Sequence, residues 1–382
     1  MIVSRNRFAR LAAAATLAAV TGAPPANAVT PPPIDHTLLP PQAPPAPVRP
    51  TVQRAVCTVG SLASGELGTQ LDGLDLAAAW ALTRGDGQRI AVIDTGVAPH
   101  RRLPGLIGGG DYVSTGDGTR DCDGHGTVVA GIIAAAPDPA ADRFSGVAPA
   151  ATVIGIRASS ARFAAPGDAA GIGDIDILAK AVRTAADLGA SVINISAVAC
   201  RPARSGLDDR AVGAALAYAV EVKNSVVVAA AGNSDEGCGT EGSTIVTPAW
   251  YDDYVLTVGS VDGRGVASSF TLPGPWVDVA APGEAVFSLS TVGDGTADSL
   301  DGSALRGTSY AAPVISGVAA LIRARFPQWT PRQVMERIKD TAHHPPGGRD
   351  DVVGAGVVDP LAALTFEVAT SREPPPPPPP RP

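Results

Sequence analysis

Lysine is nearly missing from this chain, occurring only at positions 180, 223 and 339. Acidic residues outnumber basic ones, 37 to 29, for a formal charge of −8. A chain so short of positive charge has no basic stripe for a phosphate backbone, so no nucleic-acid partner is expected. Long apolar runs are also missing: no stretch of 18 or more apolar residues occurs, which excludes a membrane-spanning helix within these residues. There is no internal repeat, and no Cys/His cluster or acidic loop with metal-ligand spacing. His36 and His100 lack companions at ligand spacing, and His343 and His344 precede Pro345-Pro346 in what reads as a surface turn. Neither a metal nor a cofactor is therefore expected. The Lys-poor, Ala-, Arg- and Pro-rich usage suggests a GC-rich genome.

What is present begins with an export signal. Arg5, Arg7 and Arg10 precede the apolar run Leu11–Val20, and Ala26-Asn27-Ala28 is a small-x-small cleavage site, so residues 1–28 read as a signal peptide. Cleavage after Ala28 removes three arginines and no acid, taking the formal charge from −8 to −11. Pro24–Pro50 is dense in proline and predicts an extended segment with polyproline II character. Residues 51–80 change texture, with Cys57 and an apolar-spaced run through Leu74, Leu76, Ala77 and Trp80, and predict a segment that docks on the main domain. The tail, Arg372 to Pro382, reads as a stiff proline-rich spacer.

From Gln88 to about Leu364 short apolar runs alternate with alanine-rich helical stretches. Strands are predicted at Ile90–Ile93, Thr152–Ile156, Ser191–Ile195 and Val226–Ala230. Helices are predicted at His125–Ala135, Asp176–Leu188, Asp208–Val222, Ser309–Phe326 and Pro331–Thr341. Alternating strands and helices imply an α/β fold with a mainly parallel central sheet covered by helices on both faces.

Three motifs carry chemistry. Ile90-Ala91-Val92-Ile93-Asp94-Thr95-Gly96 puts an acid at the carboxyl end of a strand, where sites lie in open α/β sheets. Asp123-Gly124-His125-Gly126-Thr127 opens a helix with an imidazole flanked by glycines, a pattern that allows close approach by another segment. Gly307-Thr308-Ser309-Tyr310-Ala311-Ala312-Pro313 puts a serine at a helix N-terminus, where unpaired N–H groups stabilise developing negative charge. Pro313 there requires a position near the first turn. An acid, an imidazole and a hydroxyl are the parts of an acyl-transfer triad: His activates Ser, and Asp orients His.

In these blocks and their order the chain resembles the subtilisin-like serine proteases. The resemblance implies a subtilisin-like three-layer fold, with Asp94, His125 and Ser309 as catalytic residues acting on protein or peptide substrate. It also implies that Asn233, at the end of Val226–Ala231 and Gly232, donates to the oxyanion. Val192–Ser196 is similar to the family's substrate-lining edge strand, which makes Ser196, Ala197 and Val198 the candidate substrate-binding residues. The residues after Ser196 depart from the usual large residue and glycines, so subsite shape does not carry over.

Four cysteines in an exported chain argue for two bridges, with three possible pairings. Pairing Cys57 with Cys122 would clamp the N-terminal extension beside the cleft. Pairing Cys200 with Cys238 would tie the substrate strand to the oxyanion loop. Bridges closing loops this long are each worth roughly 4 kcal/mol in the chain-entropy model.

The signal peptide, the proline-rich extension with one cysteine, the cysteine positions, the Ser159–Asp174 insertion and the proline-rich tail together resemble the mycosins. These are subtilisin-like proteases associated with type VII secretion in actinobacteria. The resemblance implies four parts: residues 1–28 as signal peptide, 29–80 as an extension wrapping the catalytic domain, 81–366 as peptidase domain and 367–382 as linker. It implies a type VII secretion membrane complex as partner and a cell-envelope or periplasm-like location, with the extracellular space as the other place open. Mycosins usually carry a membrane anchor after the linker, and this chain has none, so it reads as either a truncated form or a released member. Two other roles stay open at this point: a structural subunit of the secretion complex that acts whether or not it cuts, and a freely secreted general protease.

Overall fold

Successive residues of the apolar runs go to opposite faces of one sheet. Ile90 and Val92 pack into one core, while Ala91 and Ile93 pack into another; Val192 and Ile193, and Val226 and Val227, divide in the same way. A strand buried on both faces is apolar throughout, which is why these runs show no polar alternation. The computed structural model describes residues 30–62, 68–168, 170–202, 206–234 and 244–365. Its central sheet has seven strands: β1 (Arg89–Asp94), β2 (Ile107–Asp111), β3 (Thr152–Arg157), β4 (Val192–Ile195), β5 (Val226–Ala230), β6 (Leu256–Val261) and β7 (Val279–Pro282). They lie in the order β7-β6-β5-β4-β1-β3-β2, and every pairing is parallel.

Helices α1 (His125–Ala134) and α4 (Thr308–Arg325) cover one face and pack on each other. Helices α2 (Ile175–Asp187) and α3 (Arg210–Ala217) cover the other, and α5 (Pro331–Asp340) adds Val334, Met335 and Ile338 to the first core. The architecture is the three-layer α/β fold expected from the sequence.

Several details differ from the sequence reading. The stretch expected as one helix from Asp208 to Val222 ends its α-helical part at Ala217, and a π-turn, Tyr218–Val222, completes it. Strand Val192–Ile195 is interior, hydrogen-bonded to β1 on one side and β5 on the other, and so is not an edge strand. Its backbone groups are already used, and only the residues beyond Ile195 are free of the ladder. Pro313 falls in the second turn of α4, where it supplies no N–H to the Ser309 carbonyl.

The N-terminal segment follows a long path over this framework. Ile34 and Leu39 pack against the second core, and Arg183 donates to the Pro40 carbonyl at 3.1 Å. Val52–Gln53 pairs antiparallel with Phe163–Ala164, and Gly60–Leu62 pairs with Thr296–Leu300. Between them Cys57 is bridged to Cys122. Gln70 then exchanges two hydrogen bonds with the backbone of Phe287, at 3.2 and 3.0 Å, and Leu71, Leu74, Leu76 and Ala79 enter the first core. Cys200 is also disulfide-bonded, while Cys238, the signal peptide and the proline-rich tail lie outside the described residues.

Candidate active site

The carboxyl ends of β1 and β5 and the N-termini of α1 and α4 meet in one crevice. Asp94 is the last residue of β1 and only 3 % exposed. Its Oδ1 accepts from the Thr95 N–H at 2.7 Å and lies 2.7 Å from His125 Nδ1. His125 is the first residue of α1, and its Nε2 lies 3.0 Å from Ser309 Oγ. Ser309 is the second residue of α4, at the N-terminus of that helix, where the dipole favours negative charge. The hydroxyl, the imidazole and the carboxylate, separated by up to 215 positions in the chain (Asp94 to Ser309), therefore form one continuous hydrogen-bonded row.

Glycine permits this convergence at two points. A β-carbon on Gly126 would lie 2.0 Å from the Gly96 carbonyl oxygen and 3.1 Å from the Asp94 β-carbon. The approach that Gly126 allows is thus made by the turn after Asp94, whereas Gly124, with φ of 81°, faces Leu300. At Gly307, with φ of 151°, a β-carbon would stand 3.1 Å from Ser309 Oγ and 3.3 Å from Asn233 Nδ2. One empty spot is therefore bordered by the hydroxyl and by an amide donor. The amide orientation is fixed from behind, because Asn233 Oδ1 accepts from the Thr308 N–H at 3.1 Å and from Thr308 Oγ1 at 3.0 Å. Thr308 Oγ1 in turn accepts from the Gly232 N–H at 3.2 Å. An amide so held presents N–H to the space beside Ser309, the donor geometry an oxyanion needs.

Beyond β4, Ser196 is buried and its Oγ accepts from Asn194 Nδ2 at 2.8 Å; Asn194 Oδ1 accepts from Ser316 Oγ of α4 at 2.9 Å. This couples the segment after β4 to the helix bearing Ser309. Ala197 and Val198 line a cavity of about 190 Å³ together with Ile93, Ala158, Ser159, Ile172, Gly173, Asp174, Ile175, Leu178, Ile195 and Ala199. The Ser159–Asp174 insertion supplies one wall of that cavity and the candidate substrate segment supplies the other. Its lining is mostly aliphatic.

Three contributors escaped sequence reasoning. Tyr310 sets its ring 5.0 Å from the His125 ring, tilted by 38°. Thr308 orients Asn233, as above. Asp121 accepts from Thr95 Oγ1, the Asp123 and Gly124 N–H groups, and both the N–H and hydroxyl of Thr127. Desolvation pushes the Asp121 carboxyl up from the usual range and the Thr127 hydrogen bonds pull it down, with the charge of Asp94 a further upward influence. Asp121 and Thr127 flank His125 in the sequence at −4 and +2, a spacing that could have marked them. Among the described residues no group of three His, Cys, Asp or Glu side chains is placed to hold a metal ion, and no helix is long and apolar enough to cross a membrane.

Residues 85–356 match the model of the subtilase family. The chain is 60 % identical to Mycosin-4 of Mycobacterium tuberculosis, over 96 % of this chain and 85 % of that one. It belongs to the subtilase family, among the mycosins. As a mycosin it is a subtilisin-like serine endopeptidase. Solved mycosin structures agree in fold. The MycP3 protease from the type VII (ESX-3) secretion system superposes with a TM-score of 0.82 at 44 % identity, covering 89 % of this chain and all of that one. A chain of an intact ESX-5 inner membrane complex superposes with a TM-score of 0.84 at 43 % identity, covering 93 % and 94 %.

Proposed function

We propose that this mycosin cleaves peptide bonds with Asp94, His125 and Ser309 as its triad, in the cell envelope, within a type VII secretion assembly. The observation that carries the reading is the 2.7 Å and 3.0 Å row linking the three side chains. His125 Nε2 takes the Ser309 proton as Oγ attacks the scissile carbonyl carbon, and later hands it to the leaving amine. Asp94 keeps the proton of the neutral imidazole on Nδ1 and stabilises the imidazolium. The oxyanion is held by Asn233 Nδ2 and the Ser309 N–H. Water then enters, loses a proton to His125 and hydrolyses the acyl-enzyme. Substrate backbone adds along Ser196–Val198, and an aliphatic side chain of the substrate enters the 190 Å³ cavity. No resident metal or cofactor takes part in this scheme.

The secretion role is supported by the likeness to chains solved within an ESX-5 inner membrane complex and its periplasmic assembly. Residues 1–28 act as signal peptide, 29–80 as an extension wound on the peptidase domain of residues 81–366, and 367–382 as linker. Cys200 pairs with Cys238 in this reading. Hydrolysis of a peptide substrate by the purified protein, abolished in Ser309→Ala, tests the chemistry; undiminished hydrolysis by that variant would overturn it.

The long, disulfide-clamped path of the extension favours a second contribution, as a structural subunit of the assembly. Complementation of a deletion strain with Ser309→Ala separates the two: restored secretion assigns the essential role to structure, and lost secretion assigns it to cleavage.

A further inference from the structure

We infer that Asp121 is a positioning residue for catalysis, tying the strand that carries Asp94 to the helix that carries His125 and so setting the distance between those two side chains. The inference rests on the triad reading and deepens it. Asp94 and His125 sit on elements joined by a long connection, and their direct bond is one contact of 2.7 Å. Asp121 braces that contact from behind. Its Oδ1 accepts from Thr95 Oγ1 at 2.9 Å, next to Asp94, and from the Gly124 N–H at 2.8 Å and the Asp123 N–H at 3.2 Å, just ahead of His125. Its Oδ2 accepts from the Thr127 N–H at 2.8 Å and Thr127 Oγ1 at 2.7 Å, within the first turn of α1.

Both threonine hydroxyls extend the brace across the same gap. Thr95 Oγ1 accepts from the Gly126 N–H at 3.0 Å, and Thr127 Oγ1 accepts from the Ala98 N–H at 2.9 Å. Each hydroxyl thus spends its proton on Asp121 and receives one from the opposite element. All five partners of Asp121 donate, so only an acceptor-only group satisfies them. The carboxylate also supplies negative charge at the N-terminus of α1, where Gly124, the residue before the helix, offers no side-chain cap.

Asp121→Asn is the informative change. Whichever carboxylate oxygen becomes the amide nitrogen, it faces a backbone N–H, either Gly124 or Thr127, that cannot rotate away. The brace opens while volume is kept. A misplacement on the order of 1 Å in a reacting group costs about 100-fold in rate, so kcat for a peptide substrate is expected to fall by about that factor with KM unchanged within twofold. The low-field proton resonance of His125 Nδ1–H, which reports the bond to Asp94 without turnover, is expected to shift upfield or exchange-broaden. Asp117→Asn serves as comparator, because Asp117 lies in the same loop but its carboxylate accepts from the N–H and hydroxyl of Thr119 and not from the Asp94 strand or α1.

A fluorophosphonate first establishes labelling of Ser309 in the unmodified protein; absence of labelling there would defeat the triad reading itself. With labelling present, a folded Asp121→Asn protein that keeps both kcat and the Nδ1–H resonance overturns the inference. So does an equal loss in Asp117→Asn, which would assign the effect to the loop in general. Should Asp121→Asn fail to fold, Thr95→Val, which cuts the link at its other end, is expected to give the same resonance change, and an unaltered resonance there overturns the inference.

Discussion

Replacing Asn233 by alanine should slow turnover about 100- to 1000-fold, or about 2.7–4 kcal/mol of transition-state stabilisation, with little change in KM. The size follows from the geometry. Asn233 is 7 % exposed, its Oδ1 is fixed by two bonds from Thr308, and its Nδ2 borders the same empty spot as Ser309 Oγ. A donor held in advance in a dry site contributes its bond only when charge develops, so its loss falls on kcat. Alanine has a second consequence, since it strands the buried Thr308 N–H at a cost of about 1–3 kcal/mol in stability. Asn233→Asp separates the two effects. Its Oδ1 keeps both Thr308 bonds, while an oxygen replaces the donor and opposes the oxyanion. Steady-state kinetics on a chromogenic peptide, with thermal unfolding of each variant, reads both quantities. The expected pattern is a large kcat loss in both variants and a Tm loss mainly in alanine. A kcat within threefold of the unmodified protein in both variants would refute the assignment of Nδ2 to the oxyanion.

Burial pushes the Asp278 carboxyl up to about 7, with the charge of Asp252 adding to the effect, while its Oδ2 accepts from the Thr257 N–H at 2.9 Å. Because the folded value lies above the unfolded one, the native state holds this proton longer. Stability from this group is full below about pH 4 and is lost as pH rises toward 7, by up to about 4 kcal/mol. Asp278→Asn should therefore raise the urea midpoint at pH 8 and leave it nearly unchanged at pH 4; a lower midpoint at pH 8 would contradict the sign. Arg102, buried at 3 % exposure, donates to Asp142, to the Ala136 carbonyl and to the Phe144 carbonyl. Arg102→Ala should cost about 3–5 kcal/mol by leaving Asp142 charged and buried, measured as denaturant unfolding with unchanged m-value. Filling the 190 Å³ cavity by Ala197→Trp should raise KM for substrates with large aliphatic side chains and spare those with small ones, as read by profiling a peptide library.

Much of the fold was legible because parallel strands covered on both faces are apolar end to end, as in Ile90–Ile93 and Val226–Ala230, and carry no ambiguity of period. The sheet strands not predicted either lack that mark, as Leu256–Val261 does with Thr257, Gly259 and Ser260, or are too short to show it. Ile107–Asp111 reads Ile-Gly-Gly-Gly-Asp, with almost no side chain to show β preference, and Val279–Pro282 is short and closes on a proline. The interior position of Val192–Ile195 could not be read locally, because pairing partners belong to topology and not to the strand. At the site, Asp94, His125 and Ser309 stood out as chemistry-bearing residues at element ends. Asp121 and Thr308 did not, since each accepts or donates hydrogen bonds behind those side chains and Asn233. The wall that Ile172 and Leu178 build opposite Val198 joins segments far apart in sequence, and no local pattern reports it.

The most direct test of the account is the pH dependence of Ser309 acylation by a fluorophosphonate, with the adduct located by mass spectrometry. A single basic group should control the rate, and His125→Ala should remove both the titration and nearly all of the labelling. Labelling of His125→Ala at the unmodified rate, or an adduct on a residue other than Ser309, would contradict it.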